Sequence, residues 1–266
     1  MYKADYHVHC GYSGDSETPM EDVVERAVQL GLDELCFTDH VDFGYKDPAF
    51  ESIDYDEYIL HLARLQEQYA GKIKLKLGVE IGYQTKEHQR IQDFLARYAF
   101  DFVILSRHMS EGLDYYTGDF FEGFDQMTSY RRYFDSVLRG VMQHDNYSVC
   151  GHLDVIVRYG NFEKKVLRYL DFQDVVDTIL KRIIETGHGI EINTSGFRYG
   201  LGHMHPQREF LQRYKELGGE IITLGSDSHN TQDLFHKIPD MQALLKELGF
   251  RYFAAFEKRE PVFHAV

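Results

Sequence analysis

The pattern that most constrains the fold is a regular alternation of short apolar strands with longer amphipathic helices along the chain. Strands that alternate with helices at this spacing form parallel sheets, and seven strand–helix units favour a closed or nearly closed α/β barrel. The predicted strands cover residues 5–9, 35–38, 74–81, 102–105, 147–150, 189–193 and 221–224.

The helices between these strands are marked by residues that favour helix ends. Thr18, Pro19 and Glu21 form a capping-box pattern with proline at the first helical position, and this helix is expected to end at Gly31. No linker or internal repeat separates the units, which favours a single domain over residues 1–266. Further predicted helices cover residues 54–71, 86–98, 125–144 and 171–186.

Metal-competent or polar residues lie at the carboxyl ends of the predicted strands or just after them. These ends meet at one face of a parallel barrel, so residues distant in the sequence can share a pocket. A histidine at the end of a single strand is commonly an ordinary loop residue. Metal-competent residues at the ends of successive strands favour a metal site. The strand-end residues are His7, His9, His40, Glu80, His108, His152, Glu191, Asn193, Asp227 and His229.

Charge and composition narrow the substrate class and the compartment. The chain has a formal net charge of −14 and no run of Lys or Arg, so we expect a small-molecule substrate rather than nucleic acid. No apolar run is long enough to span a membrane, and the N-terminus lacks a signal-peptide pattern. The three cysteines form no C-x-x-C motif, which argues against a disulfide framework and favours a cytoplasmic location.

Five motifs at the strand ends occur in an order that is typical of a known family. They are His7-Val8-His9, Thr38-Asp39-His40, Gly78-Val79-Glu80, Gly151-His152-Leu153-Asp154 and Gly225-Ser226-Asp227-Ser228-His229. In these motifs the chain resembles the PHP (polymerase and histidinol phosphatase) family from its first strand to residue 229. Residues 158–160 and 191–196 further resemble the free-standing histidinol-phosphatase branch of that family.

The resemblance implies a distorted (β/α)7 barrel that holds three divalent metal ions. Zinc, manganese and iron all suit mixed histidine and carboxylate ligands. Asp15 stands where some relatives have histidine, and Ser106-Arg107-His108 lacks the glycine often found before that histidine. By position, the resemblance assigns His7, His9, Glu80 and Asp227 to one ion, Glu80, His108 and His152 to a second, and Asp15, His40 and His229 to the third.

Such a site is suited to the hydrolysis of phosphate monoesters. A hydroxide that bridges two ions is a nucleophile at neutral pH, and further positive charge can neutralise the phosphoryl oxygens. Arg158, Arg198 and Asn193 are the candidate substrate-binding residues, although a scaffold role is the alternative for either arginine. Asp42 can donate a proton to the leaving oxygen if its pKa is raised, or accept a hydrogen bond behind a metal ligand.

The resemblance implies a metal-dependent histidinol-phosphatase of histidine biosynthesis, which hydrolyses L-histidinol phosphate. The same metal site would suit another phosphoester, such as a nucleotide, phosphotyrosine or a short oligonucleotide. A PHP module without catalytic activity is a further alternative, but all nine ligand positions hold metal-competent residues, which argues against it. The oligomeric state stays open.

Other aromatic and histidine residues have simpler interpretations. The pattern His203-Met204-His205 does not end a strand, so we expect a loop or the rim of the substrate pocket rather than part of the metal centre. The aromatic stretch 115–124 is expected in the core or in a loop packed over the pocket. The remaining histidines, expected at the surface, are His61, His88, His144, His188, His236 and His264.

Overall fold

In the part of the chain that the structure describes, seven parallel strands form the central sheet as neighbours in the order in which they occur along the chain, and the two-residue strand His40–Val41 pairs beside the third of them. The computed structural model describes residues 1–51 and 53–266. Parallel pairing sets, for example, Glu80 level with Ile104 and Leu224 level with Ile192. The strands are β1 (Ala4–Val8), β2 (Glu34–Phe37), β3 (Lys74–Gly82), β4 (Phe102–Ser106), β5 (Val149–Cys150), β6 (Gly189–Asn193) and β7 (Ile222–Gly225).

The first and last strands come together and nearly close the barrel. The backbone N–H of His9 donates to the carbonyl of Ser228 at 2.9 Å, and that of Asp227 donates to the carbonyl of His7 at 2.7 Å. The α/β barrel of seven strands predicted from the sequence is therefore confirmed. Its nearly closed edge brings the carboxyl end of β1 next to that of β7.

Amphipathic helices connect the strands and bury their apolar faces. The helix that begins at Met20 ends at Gly31, whose φ of 69° is a left-handed conformation that glycine adopts without strain. The capping box predicted there is wrong, because the hydroxyl of Thr18 donates instead to the carbonyl of His229 at 3.1 Å. The helices are α1 (Met20–Leu30), α2 (Tyr55–Gln68), α3 (His88–Arg97), α4 (Gln126–Gln143), α5 (Gln173–Glu185), α6 (Arg208–Glu216) and α7 (Ile238–Glu247).

A C-terminal hairpin packs near the amino ends of the barrel strands. The sequence patterns did not predict it. It consists of β8 (Tyr252–Glu257) and β9 (Glu260–Ala265), which pair antiparallel. The backbone N–H of Phe256 donates to the hydroxyl of Tyr6 at 2.7 Å, and the Phe256 ring lies 5.0 Å from that of Phe102. The hairpin therefore leaves the carboxyl ends of the strands free for a functional site.

Short elements lie in the connections. Among the described residues, no helix is long and apolar enough to cross a membrane. All three cysteines are buried free thiols. The short elements are the two-residue strands His40–Val41, Met109–Ser110 and Leu113–Asp114, the 3-10 helices Pro48–Phe50, Thr85–Glu87, Asp119–Phe121, Val155–Arg158 and Tyr169–Asp171, and the helix Ser195–Arg198.

Two predictions about side-chain burial have different outcomes. In the aromatic stretch 115–124, Tyr115, Phe120 and Phe121 are buried, which confirms a core position for these rings. The surface position predicted for His144 is wrong, because this side chain is 1% exposed and its ring packs 5.1 Å from that of Tyr83. The other five histidines expected at the surface are partly exposed.

Candidate metal centre

Glu80 lies at the centre of a cluster of imidazoles at the carboxyl ends of the strands. Its Oε2 atom lies 3.1 Å from Nε2 of His7 and 3.0 Å from Nδ1 of His40. Its Oε1 atom lies 2.8 Å from Nε2 of His152 and 3.2 Å from Nε2 of His108. Each carboxylate oxygen therefore faces a different pair of imidazoles, an arrangement suited to bridging two cations.

Asp227 and His9 extend the cluster on the side of Oε2. Oδ1 of Asp227 lies 3.5 Å from Nε2 of His9 and 3.7 Å from Nε2 of His7. Nε2 of His9 lies 3.6 Å from Oε2 of Glu80. The backbone pairing of β1 with the segment after β7 brings Asp227 next to His7 and His9, because the first and last strands of the barrel are neighbours.

A third group of predicted ligands lies nearer the surface. Oδ2 of Asp15 lies 3.0 Å from Nε2 of His229 and 3.6 Å from Nε2 of His40. The His9 ring packs against both imidazoles, with ring centroids 4.1 Å from His229 and 4.4 Å from His40. The side chain of Asp15 is 40% exposed, so this group borders solvent. All nine ligands predicted from the sequence are thus brought into one cluster.

The chemistry of these atoms fits divalent cations. Four of them, Nε2 of His7, Nε2 of His9, Nδ1 of His40 and Oε2 of Glu80, are buried and form no hydrogen bond. A buried polar atom without a partner costs about 1–3 kcal/mol, so protein contacts alone account poorly for four in one cluster. Imidazole nitrogens and carboxylate oxygens are ligands of zinc, manganese and iron. Within this cluster, ligand atoms lie within 4.8 Å of one another in three sets: His7, His9 and Glu80; His40, Glu80 and His108; and His9, Asp15, His40 and His229.

The charges in the cluster are strongly coupled. Burial lowers the pKa of His40, but the carboxylates of Glu80 and Asp15 outweigh burial and raise it to about 10. Burial, with the neighbouring charges of His229 and His40, lowers the pKa of His9 to about 3, so this imidazole is neutral at pH 7. Burial raises the pKa of Glu80, but the surrounding imidazolium charges hold it well below its usual value. Positive charge is therefore required to balance these buried carboxylates, and bound cations would supply it.

Asp42 contacts the metal cluster from behind His108. Its Oδ1 atom lies 2.7 Å from Nδ1 of His108, while Nε2 of the same ring faces Glu80. A Cβ at Gly82 would lie 1.6 Å from this oxygen, so only glycine leaves room for the contact. Burial raises the pKa of Asp42, but the charges of His108 and His40 outweigh burial and lower it. A proton donor needs a raised pKa, so these contacts favour the alternative in which Asp42 accepts a hydrogen bond from a metal ligand.

Two further residues hold imidazoles of the cluster. Oε1 of Glu191 lies 2.5 Å from Nδ1 of His7, and Oγ of Ser13 lies 3.0 Å from Nδ1 of His9. The sequence placed Glu191 among the strand-end residues but assigned it to no ion. No comparable sequence signal marks Ser13, which lies in the loop after β1.

A family model matches the chain, and curated relatives are similar to it over most of its length. The model of the PHP domain matches residues 5–195. The chain belongs to the PHP domain family. The histidinol-phosphatase of Lactococcus lactis is 34% identical over 257 residues, which cover 96% of this chain and 95% of that protein. The probable histidinol-phosphatase of Clostridium acetobutylicum is 29% identical over 227 residues, which cover 85% of this chain and 86% of that protein.

A solved structure of a PHP relative is similar over nearly the whole chain. It is the crystal structure of histidinol phosphate phosphatase from Lactococcus lactis, complexed with zinc, L-histidinol and phosphate. The TM-score is 0.91 at 32% sequence identity, and the match covers 98% of both chains. The resemblance inferred from the strand-end motifs is therefore confirmed.

Arg198 of this PHP domain supports the loop that presents Asp227. One terminal nitrogen donates to the carbonyl of Ser226 at 2.6 Å, and the other donates to the carbonyl of Asp227 at 2.7 Å. Its Nε atom lies 3.4 Å from Oδ2 of Asp233. Asp227 has a φ of 57°, which residues other than glycine seldom adopt, so the loop depends on such support. A guanidinium has five N–H groups, and two remain for another ligand.

The other two candidate substrate-binding residues also have contacts within the protein. The guanidinium of Arg158 lies over the ring of Tyr199, 3.2 Å from its centroid. The amide nitrogen of Asn193 donates to Oε2 of Glu191 at 3.2 Å and to Oδ2 of Asp227 at 3.3 Å. Asn193 therefore contacts a predicted metal ligand directly. Its own role in substrate binding stays a prediction, as does that of Arg158.

The second His-x-His pattern lies in a loop, as predicted. His205 is fully buried, and its Nδ1 atom lies 2.6 Å from Oδ1 of Asp154. His203 is partly buried, and its Nδ1 atom lies 2.8 Å from the carbonyl oxygen of Met204. The burial of His205 does not fit a position at the rim of the pocket. Ligand atoms of Asp154, His203 and His205 lie within 4.8 Å of one another, so these residues form a separate group of metal-competent side chains.

Proposed function

We propose that this protein is a metal-dependent phosphomonoesterase that hydrolyses L-histidinol phosphate to L-histidinol and phosphate. The observation that carries the proposal is the convergence of imidazoles on both carboxylate oxygens of Glu80, at the face where barrels of this kind place their chemistry. The Lactococcus lactis relative, whose structure contains zinc, L-histidinol and phosphate, supports this substrate.

We propose three divalent ions per chain, with zinc, manganese and iron as candidates. The zinc in the Lactococcus lactis structure supports the first of these. When bound, such ions lower the pKa of a water molecule so that it can attack phosphorus, and they offset negative charge on the phosphoryl oxygens. The proposed ligand sets are His7, His9, Glu80 and Asp227, then Glu80, His108 and His152, and finally Asp15, His40 and His229.

Arg158 and Arg198 are proposed to bind the phosphate group. The two free N–H groups of Arg198 can donate to two phosphate oxygens, which match the planar fork of a guanidinium. Arg158 rests on the Tyr199 ring, which restricts its rotamers and lowers the entropy lost when it binds an anion. Asn193 is proposed to hold Asp227 beside the substrate, and Asp42 to orient His108.

The proposal extends to the organisation of the chain and its partners. Residues 1–266 are proposed to form one domain that acts in the cytoplasm on a small phosphate ester. The net charge of −14 supports this, because it disfavours a nucleic-acid substrate.

Steady-state kinetics of purified, metal-replete protein test the substrate. We expect kcat/KM for L-histidinol phosphate to exceed that for p-nitrophenyl phosphate, although p-nitrophenolate is the better leaving group. The reason is that contacts to the histidinol portion add binding energy in the transition state. Nucleotides, phosphotyrosine and short oligonucleotides complete the panel, and a higher kcat/KM for any of them would overturn the assignment.

Elemental analysis of the same preparation tests the metal content. At most one ion per chain after supplementation would contradict three ions. Three ions without activity on any member of the panel would favour the alternative of a non-catalytic module.

A further inference from the structure

The carboxylate of Glu191 contacts members of two different proposed ligand sets. Glu191 lies in β6 and is 1% exposed. Its Oε1 atom lies 2.5 Å from Nδ1 of His7, and its Oε2 atom accepts a hydrogen bond from the backbone N–H of His152 at 2.9 Å. His7 belongs to the first set and His152 to the second, so one buried side chain reaches both.

The contact with His7 determines which ring nitrogen faces the proposed metal position. A carboxylate oxygen that accepts a hydrogen bond from Nδ1 of His7 fixes a proton on that nitrogen, and in the neutral ring the lone pair is then on Nε2. Nε2 lies 3.1 Å from Oε2 of Glu80 and 3.7 Å from Oδ1 of Asp227, which belong to the same set. The other tautomer would present an N–H group there and would not bind a cation.

A buried amide extends the contact from Glu191 to Asp227. The amide nitrogen of Asn193 lies between the two carboxylates, at 3.2 Å and 3.3 Å. Its oxygen accepts a hydrogen bond from the backbone N–H of Ser195 at 2.9 Å, which fixes the orientation of the amide. Glu191 is therefore linked to a third proposed ligand through Asn193.

Gly225 leaves just enough room for this carboxylate. A Cβ at Gly225 would lie 2.4 Å from Oε1 of Glu191 and 2.4 Å from Cβ of His7. A larger residue at position 225 would therefore disrupt the contact between Glu191 and His7.

We infer that Glu191 is a positioning residue of the metal centre, which holds the tautomer of His7 and the backbone of His152 so that adjacent ions can bind. The inference rests on the proposed metal-dependent function. Both oxygens of Glu191 must be acceptors, since each faces an N–H group. Glutamine has one acceptor and one donor, so it would set an N–H group against either His7 or the backbone of His152.

The zinc affinity of Glu191→Gln, measured by competition with a chromophoric chelator and without substrate, tests the inference. We expect an affinity about 10- to 100-fold lower than that of the unmodified protein. The absorption spectrum of the cobalt(II)-loaded variant should also change, because it reports the geometry of the ligands. Glu191→Asp keeps the charge and both acceptors but withdraws them by one methylene group, so a smaller loss is expected.

Glu34→Gln is a matched control for the loss of a buried carboxylate. Glu34 begins β2, at the opposite end of the barrel, and accepts hydrogen bonds from the hydroxyls of Tyr2 and Tyr6. The zinc affinity and cobalt spectrum of Glu34→Gln should match those of the unmodified protein even if the melting temperature of this variant falls.

Two outcomes for the glutamine variants would overturn the inference. One is an unchanged zinc affinity in Glu191→Gln. The other is an equal loss of zinc affinity in Glu191→Gln and Glu34→Gln, because an equal loss would indicate general destabilisation. If Glu191→Gln does not fold, wild-type affinity in Glu191→Asp would overturn it. A protein that binds zinc as expected but does not hydrolyse L-histidinol phosphate would refute the proposed substrate and leave the role of Glu191 standing.

Discussion

The substitution Asp42→Asn distinguishes proton donation by Asp42 from orientation of His108. Asp42 is buried, and its Oδ1 atom lies 2.7 Å from Nδ1 of His108. Asparagine has nearly the same shape and keeps one acceptor oxygen, so it can still accept the hydrogen bond from His108. Its amide group would then face Nδ1 of His40, which lies 3.5 Å from Oδ2 of Asp42.

The two roles predict losses of different size and pattern. A hydrogen bond to a charged group contributes about 1.5–3 kcal/mol and a neutral one about 1 kcal/mol, so an orienting role predicts a loss of about 1–2 kcal/mol, or about 5- to 30-fold in kcat/KM. This loss acts through His108, so it should be the same for every phosphoester. A general acid would contribute about 10²- to 10⁴-fold for the alkoxide of histidinol and little for p-nitrophenolate, which leaves without a proton.

The assay measures kcat/KM for L-histidinol phosphate and for p-nitrophenyl phosphate, in the unmodified protein and in Asp42→Asn, across the neutral pH range. The ratio to compare is kcat/KM for L-histidinol phosphate divided by kcat/KM for p-nitrophenyl phosphate. From the contacts of Asp42 we expect this ratio to differ less than about 3-fold between the two proteins. A fall in this ratio of about 100-fold or more, together with loss of the alkaline limb of the pH profile, would refute the orienting role and make Asp42 the proton donor. Elemental analysis of both proteins controls for loss of metal.

Four further substitutions test other parts of the structure. Glu80→Ala should lose metal and activity together, because each carboxylate oxygen faces a different pair of imidazoles, and normal turnover with full metal content would contradict this. Arg158→Met should lose about 2–4 kcal/mol, or about 30- to 1,000-fold, in kcat/KM and bind inorganic phosphate more weakly at unchanged metal content. Arg198→Met should also lose metal, because Arg198 holds the carbonyl of Asp227, and equal metal content in the two arginine variants would contradict that difference. Burial lowers the pKa of His144 from 6.5 to about 4, so the unfolded chain binds this proton more readily and stability falls as pH drops through that window. His144→Gln should therefore remove about 1–2 kcal/mol of the decrease in unfolding free energy between about pH 7 and pH 5, and an unchanged decrease in urea denaturation would contradict the assignment.

The barrel and the convergence of its metal-competent residues follow from local sequence patterns. Strand periodicity determines which side chains of residues 74–81 share a face, and parallel strands deliver the residues at their carboxyl ends to one side of the sheet. His7 and Asp227 could therefore be expected to meet before any contact was known. The capping box at Thr18 marks the limit of such local reasoning, because its hydroxyl bonds to the carbonyl of His229, 211 positions away.

The way in which each ligand is held depends on tertiary contacts. Nδ1 of His108 is held by Asp42, 66 positions away, and Nδ1 of His7 by Glu191, 184 positions away. A sequence pattern specifies the strand and the face of a residue, but not the rotamer or the tautomer of its ring. Those depend on which acceptors the neighbouring strands bring within hydrogen-bond distance. The sequence by itself determined which strand ends carry the proposed metal ligands of this PHP domain. Only the packing of the strands decided which ring nitrogen each histidine presents, because its partner comes from a distant part of the chain.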